Sequence, residues 1–238
     1  MNIIRLLSES MSYAAFASVT IISLLMMGFF VVEPAISHGQ DATSNDFYIR
    51  QTITDESSFK VVADVDMAGA INGVTGGQAT GTTQFVVLSN NTTGYTVDID
   101  FQYTTNNEAM VGDESGDEAI RDYDGDVASE PSFDFVASSS AGLFAYTVTS
   151  SSSADTAQSF LSSGAACNVS SGSGGIQADD KCWKSPASTG FKIVDTGDAA
   201  TSGATSTLKF VVNVPNGANP TPLAETYTAT ATLSLYTK

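Results

Sequence analysis

Histidine occurs once in this chain of 238 residues and cysteine twice, and lysine plus arginine total 9 against 26 aspartates and glutamates. Each shortage excludes something. A net charge of −17 works against nucleic acid, where basic side chains must neutralise phosphates, and against anionic lipid surfaces. One histidine leaves no multi-histidine metal site, and two cysteines leave no zinc ribbon or iron–sulfur cluster. Serines abound, but a serine nucleophile needs a positioned base, and His38 lies outside the body of the chain. A glycosidase pair needs two acids held apart on a rigid frame, whereas the acids here crowd into one segment. Catalysis is not expected.

Long apolar runs are scarce too. The one that exists, residues 14–32 (AAFASVTIISLLMMGFFVV), carries no charge and follows Arg5 and Glu9. A basic start, an apolar stretch and small residues at Ala35-Ile36-Ser37 fit a secretory signal cleaved after Ser37, with Ser37-His38-Gly39 as a second cleavage option. The run is also nearly long enough to span a bilayer, so a retained N-terminal anchor is the alternative. Residues 1–37 are therefore read as signal peptide or anchor, 38–46 as a flexible tail and 47–238 as one domain. Both N-terminal readings put the body outside the cytoplasm, extracellular or at the cell surface, with membrane contact only through the N-terminal segment.

A sustained helical period is missing from that body. Alternation of apolar and polar residues, the mark of half-buried strands, is plentiful. Tyr227, Ala229, Ala231, Leu233 and Leu235 share one face. So do Tyr95, Val97, Ile99, Phe101 and Tyr103; Leu208, Phe210, Val212 and Val214; and Phe59, Val61, Ala63, Val65 and Met67. Shorter strands are expected at Phe47–Ile53, Gln84–Ser89, Phe133–Ala137, Leu143–Thr149 and Phe191–Val194, about nine in all, with a helical turn or two at Asp155–Leu161. The fold class is all-β: a single antiparallel two-sheet sandwich. Three segments read as loops: glycine-rich Ala68–Thr83, acidic 104–132, and serine-rich 150–189. Loops this long are functional or disordered as a rule.

Three stretches carry a family resemblance: Asn90-Asn91-Thr92-Thr93-Gly94-Tyr95-Thr96-Val97, Trp183 followed by Thr189-Gly190-Phe191-Lys192-Ile193, and Pro220 to Tyr236 ending in TYTATATLSLY. They resemble a loose set of secreted bacterial surface proteins, and the closing strand is similar to those of WxL-type surface domains and of coat- or pilus-type subunits. The resemblance implies a surface location, an immunoglobulin-like sandwich and no catalytic residues. An exported structural or adhesive protein follows, with copies of itself or other surface components as partners.

The alternative is a binding module for calcium or glycans. Between Glu108 and Glu130 nine carboxylates face the single Arg121. Within them Asp122-Tyr123-Asp124-Gly125-Asp126 sets alternating acids around a glycine turn, so Asp122, Asp124 and Asp126 are candidate calcium ligands, although the EF-hand's closing glutamate is missing. Calcium is the one cofactor the pattern suggests; a solvated acidic loop is the plainer reading. Cys167 and Cys182, paired in an exported chain, make a disulfide the default. Trp183 either packs over that bond or stands exposed as a glycan-stacking platform.

Overall fold

The computed structural model describes residues 18, 20–24, 50–60, 63–104, 106–125, 131–167 and 175–238. The chain divides into two units, Met1–Thr52 and Ile53–Lys238. Of the first, residues 18 and 20–24 are helical. The rest of the expected signal and the whole of the tail 38–46 lie outside the described residues.

The second unit is mostly β. Its strands are β1 (Ser57–Lys60), β2 (Ile71–Asn72), β3 (Gly76–Ser89), β4 (Tyr95–Phe101), β5 (Met110–Gly112), β6 (Ala119–Asp122), β7 (Leu143–Ser150), β8 (Phe191–Thr196), β9 (Ala200–Val214), β10 (Tyr227–Ala229) and β11 (Ala231–Thr237). The larger sheet runs β1-β3-β9-β7-β6-β5-β10, with β2 paired to β3; the smaller runs β11-β4-β8. One core joins them: Phe85 and Val87 of β3, Tyr95, Val97, Ile99 and Phe101 of β4, Phe144, Tyr146 and Val148 of β7, Ile193 and Val194 of β8, and Leu208, Val212 and Val214 of β9. The period-two faces on β4, β7, β8 and β9 end in this core, where burial of alternate side chains removes apolar area from water.

The expectation of a purely antiparallel sandwich needs correcting: β6 pairs with β7 in parallel, Arg121 beside Leu143 and Asp122 beside Phe144. Parallel neighbours need a long crossover, commonly a helix. Here it runs through residues 123–142, and those of them that are described, 123–125 and 131–142, hold no helix. The closing alternation is also two strands. β10 pairs with β5 and β11 with β4, and the chain changes sheets at Thr230, whose carbonyl accepts the Gln102 N–H at 2.9 Å. It reads as one strand because Tyr227, Ala229, Leu233 and Leu235 all turn toward the shared core.

Two of the three expected loops contain strands. Ala68–Thr83 includes β2 and half of β3, whose 14 residues pair along β9. Its glycines serve close backbone approach: a Cβ on Gly76 (φ +74°) would lie 2.3 Å from the Val214 carbonyl oxygen. The acidic segment holds β5 and β6, with Met110, Val111 and Ile120 buried among the carboxylates. The serine-rich segment contributes a 3-10 turn at Gln158–Phe160. Phe133–Ala137 forms no strand, residues 50–53 form none, and residues 47–49 lie outside the described residues. The fourth alternating face is strand only through Lys60, with residues 61 and 62 outside the described set and Ala68 bridging Thr80.

Candidate functional site

The acidic segment is held by its own carboxylates. At the base of the β5–β6 hairpin the Glu108 carboxylate accepts the Asp122 N–H, and Asp122 Oδ1 accepts the Ala109 N–H at 3.1 Å. At the tip, Glu225 Oε2 accepts the N–H groups of Glu114 and Ser115 at 2.8 and 3.0 Å. Those donors, Ser115 foremost, hold the Glu225 carboxyl below its ordinary range. Three acids that composition assigns to solvent thus close the hairpin through charge-assisted bonds to backbone.

Asp122 is half-buried. Burial raises its pKa to about 6, against the Tyr103 hydroxyl and the Ala109 N–H, which favour the ionised form, while the charge on Glu108 adds to the rise. The Tyr103 hydroxyl lies beside this carboxylate and also donates to the Pro186 carbonyl at 2.9 Å. Asp122 Oδ2 itself is buried with no partner at full hydrogen-bond geometry. Asp124 is exposed and faces Arg121 at 3.8 Å. Asp126 lies outside the described residues. Among the described residues no group of three or more histidine, cysteine, aspartate or glutamate side chains is placed to hold a metal.

Cys167 and Cys182 form the expected disulfide, with 5.7 Å between Cα atoms. Cys182 is 1% exposed and adopts φ +57°, a left-handed turn uncommon for a residue with a Cβ. Its N–H donates to the Phe133 carbonyl at 3.0 Å. From there the chain runs beside β7. Trp183 and Ser132 exchange N–H to carbonyl bonds at 2.8 Å each way, and Lys184 does the same with Tyr146 at 2.7 and 3.0 Å. The edge of β7 that β6 leaves uncovered is filled by the residues after the disulfide.

Trp183 is 5% exposed. Its ring meets Phe135 edge-on at 5.8 Å, Phe135 stacks on Tyr123 at 5.1 Å, and the indole N–H donates to the Asp180 carbonyl at 3.0 Å. The ring belongs to a cluster with Leu143, Ala145 and Val211 on the outer face of the larger sheet. The packing reading of Trp183 is the one this placement matches; the stacking role requires an open ring face that it lacks.

Sequence reasoning missed Lys184, 7% exposed with Nζ 4.8 Å from the centre of the Phe191 ring; burial lowers its pKa. It missed Tyr103 as the neighbour of Asp122. Neither sits in a motif, and only the tertiary pairing of Lys184 with Tyr146 of β7 brings Lys184 inside. Lys181, reaching Asp134 at 2.8 Å and Asp180 at 3.7 Å, ties the two outer segments together. No family model, no curated protein and no solved structure matches this chain.

Proposed function

We propose that this protein is an exported structural or adhesive component of a cell surface, working through contacts with copies of itself or with other surface components. The observation that carries this reading is the Cys167–Cys182 bond. Disulfides persist in oxidising compartments and are rare in the cytoplasm, so the bond is compatible with an extracellular location. The uncharged run at residues 14–32 supplies the export signal or anchor in this reading. The frame is an immunoglobulin-like sandwich modified by the parallel β6–β7 pair; its support is one core shared by the two sheets.

The test is cell fractionation followed by intact mass. Protein recovered outside the cytoplasm is expected two protons lighter than the reduced chain, with its first residue at or near His38. Free thiols at both Cys167 and Cys182 in that material would overturn the reading. A mass that retains Met1 replaces cleavage by anchoring.

A second reading, a calcium-binding module, has one observation in its favour: Asp122 Oδ2 is buried with no partner at full hydrogen-bond geometry, which suits a cation better than empty space. Calcium tolerates irregular oxygen cages that magnesium does not. Calcium is then expected to raise the thermal midpoint more than magnesium at equal ionic strength, and equal responses would remove this reading.

A further inference from the structure

The paths of the two sheets end on four strands, β1, β10, β8 and β11, and β2, 2 residues long, lies off the path against β3. An edge strand offers unpaired backbone groups to other chains, and proteins blunt such edges by shortness, charge, proline or cover. Three of these edges are blunted. β1 and β10 are 4 and 3 residues long. β8 is covered on its outer side, where the Ala157 N–H reaches the Ile193 carbonyl at 3.0 Å and the Asp195 N–H reaches the Asp155 carbonyl at 2.9 Å.

β11 differs. It spans 7 residues, ATLSLYT, with no charge and no proline. The Gln102 N–H donates to Thr230 O and the Lys238 N–H to Gly94 O, which sets the alternation of the antiparallel ladder with β4. Thr232, Ser234 and Tyr236 bond inward to β4. Ala231, Leu233, Leu235 and Thr237 turn their N–H and C=O outward. Among the described residues no hydrogen bond takes up those groups, although β1 passes nearby.

We propose that β11 pairs antiparallel with β11 of a second copy across a two-fold axis, joining two smaller sheets into one. This rests on the surface-component reading and names the contact through which copies meet. In the register centred on Ser234, Leu233 lies opposite the second copy's Leu235, and Ala231 opposite its Thr237. All four outward residues on each strand are then used, giving roughly eight hydrogen bonds. The apolar residues meet on the core side. On the other face, Thr232 meets the second copy's Tyr236, an aromatic side chain 54% exposed in the single chain; aromatic–β-branched pairs of this kind stabilise sheets. Charge also favours a second copy here. Chains of net charge −17 repel, so contact is least opposed along an uncharged strand. Lys238, just beyond β11, is already paired with Asp195 at 2.5 Å.

The register is testable on the full chain. Ser234 opposes itself at a non-hydrogen-bonded position, where Cα atoms lie within disulfide range. Ser234→Cys is expected to give a chain of doubled mass under mild oxidation, at least about tenfold faster than Ser202→Cys, which is exposed on β9. Ala231→Pro removes one outward N–H from each copy at the start of the strand, where proline is tolerated. It is expected to raise the dimer dissociation constant in sedimentation at least about tenfold, with the thermal midpoint of the dissociated chain unchanged. Equal cross-linking of the two cysteine variants, or assembly indifferent to Ala231→Pro, overturns the β11 contact while leaving the surface-component reading standing. Free thiols at both Cys167 and Cys182 in protein recovered outside the cytoplasm overturn that reading, whatever the cross-linking shows.

Discussion

On one face of β7, Phe144, Tyr146 and Val148 meet side chains from β3, β4, β8 and β9; on the other, Leu143 and Ala145 meet Val211, Tyr123 and Trp183, with Phe135 packed alongside. The first cluster is assembled by strands. The second is assembled largely by segments with no regular structure, held in place by the Cys167–Cys182 bond, the Ser132–Trp183 bridge and the Lys181–Asp134 pair. A strand buried on both faces loses its alternation, which is why β7 reads as a nearly continuous apolar run. The difference predicts unequal resistance to damage. Strand-built packing cannot relax without breaking a ladder, whereas a cover of irregular chain can settle into a gap.

The largest effect is expected on the strand-built side. Phe144 is 2% exposed, edge-on to Phe101 at 6.0 Å and stacked on Phe210 at 6.1 Å. Phe144→Ala should cost about 3–5 kcal/mol, a large part of the ~5–15 kcal/mol that holds a domain together. Chemical denaturation is the measurement, and failure of the chain to accumulate would agree with it. A loss below about 1 kcal/mol would mean that the core between the sheets is looser than its burial indicates.

Next comes the outer cluster's staple. Replacing both Cys167 and Cys182 with serine removes a loop closure over a separation of 15 residues, worth up to ~3 kcal/mol. Hydrogen exchange should show the loss concentrated at the amides of Cys182, Trp183 and Lys184, whose partners are Phe133, Ser132 and Tyr146. Trp183→Ala follows at about 2–3 kcal/mol, less than Phe144→Ala because residues 131–135 can close over the gap. If Trp183→Ala costs as much as Phe144→Ala, the two faces of β7 form one cooperative unit and the contrast between them fails.

The same contrast explains what was legible in the sequence. The faces of Tyr95–Phe101 and of Leu208–Val214 could be found because a strand repeats every second residue and buries one side. The sheet change at Thr230 left no mark, since the inward face continues through it. Tyr123, Phe135 and Trp183 meet through a parallel pair and through crossover residues that, where described, hold no helix, and neither has a period. Of the candidate site, the disulfide followed from cysteine count and the expectation of export. The roles of Glu108, Asp122 and Glu225 did not, because a count of acids does not say which of them will find backbone N–H groups.

The smallest expected effect has a size that pH changes and an order that calcium can reverse. Asp122 has a folded pKa of about 6, above the ~3.9 of an unfolded aspartate. Between those values the folded chain binds more protons than the unfolded one, so this group's contribution to stability falls as pH rises from about 4 to about 6. Ionised Asp122 is therefore a cost at neutral pH. Asp122→Asn keeps an acceptor for the Ala109 N–H and removes the buried charge, so it should be more stable than the parent near pH 7. The gain should shrink toward zero near pH 4, where the parent carboxyl is protonated. Solvent reaches part of this half-buried group, so the gain is held below about 1 kcal/mol, or a few degrees in thermal midpoint. The variant-minus-parent midpoint at the two pH values is the measurement, with a chelator present. A difference that does not change with pH would mean that Asp122 is fully solvated. Calcium added at neutral pH separates the two readings of this acid. If Asp122 is only a desolvated hairpin carboxylate, the asparagine variant keeps its advantage. If it ligates calcium, the parent gains from the ion, the variant does not, and their order reverses.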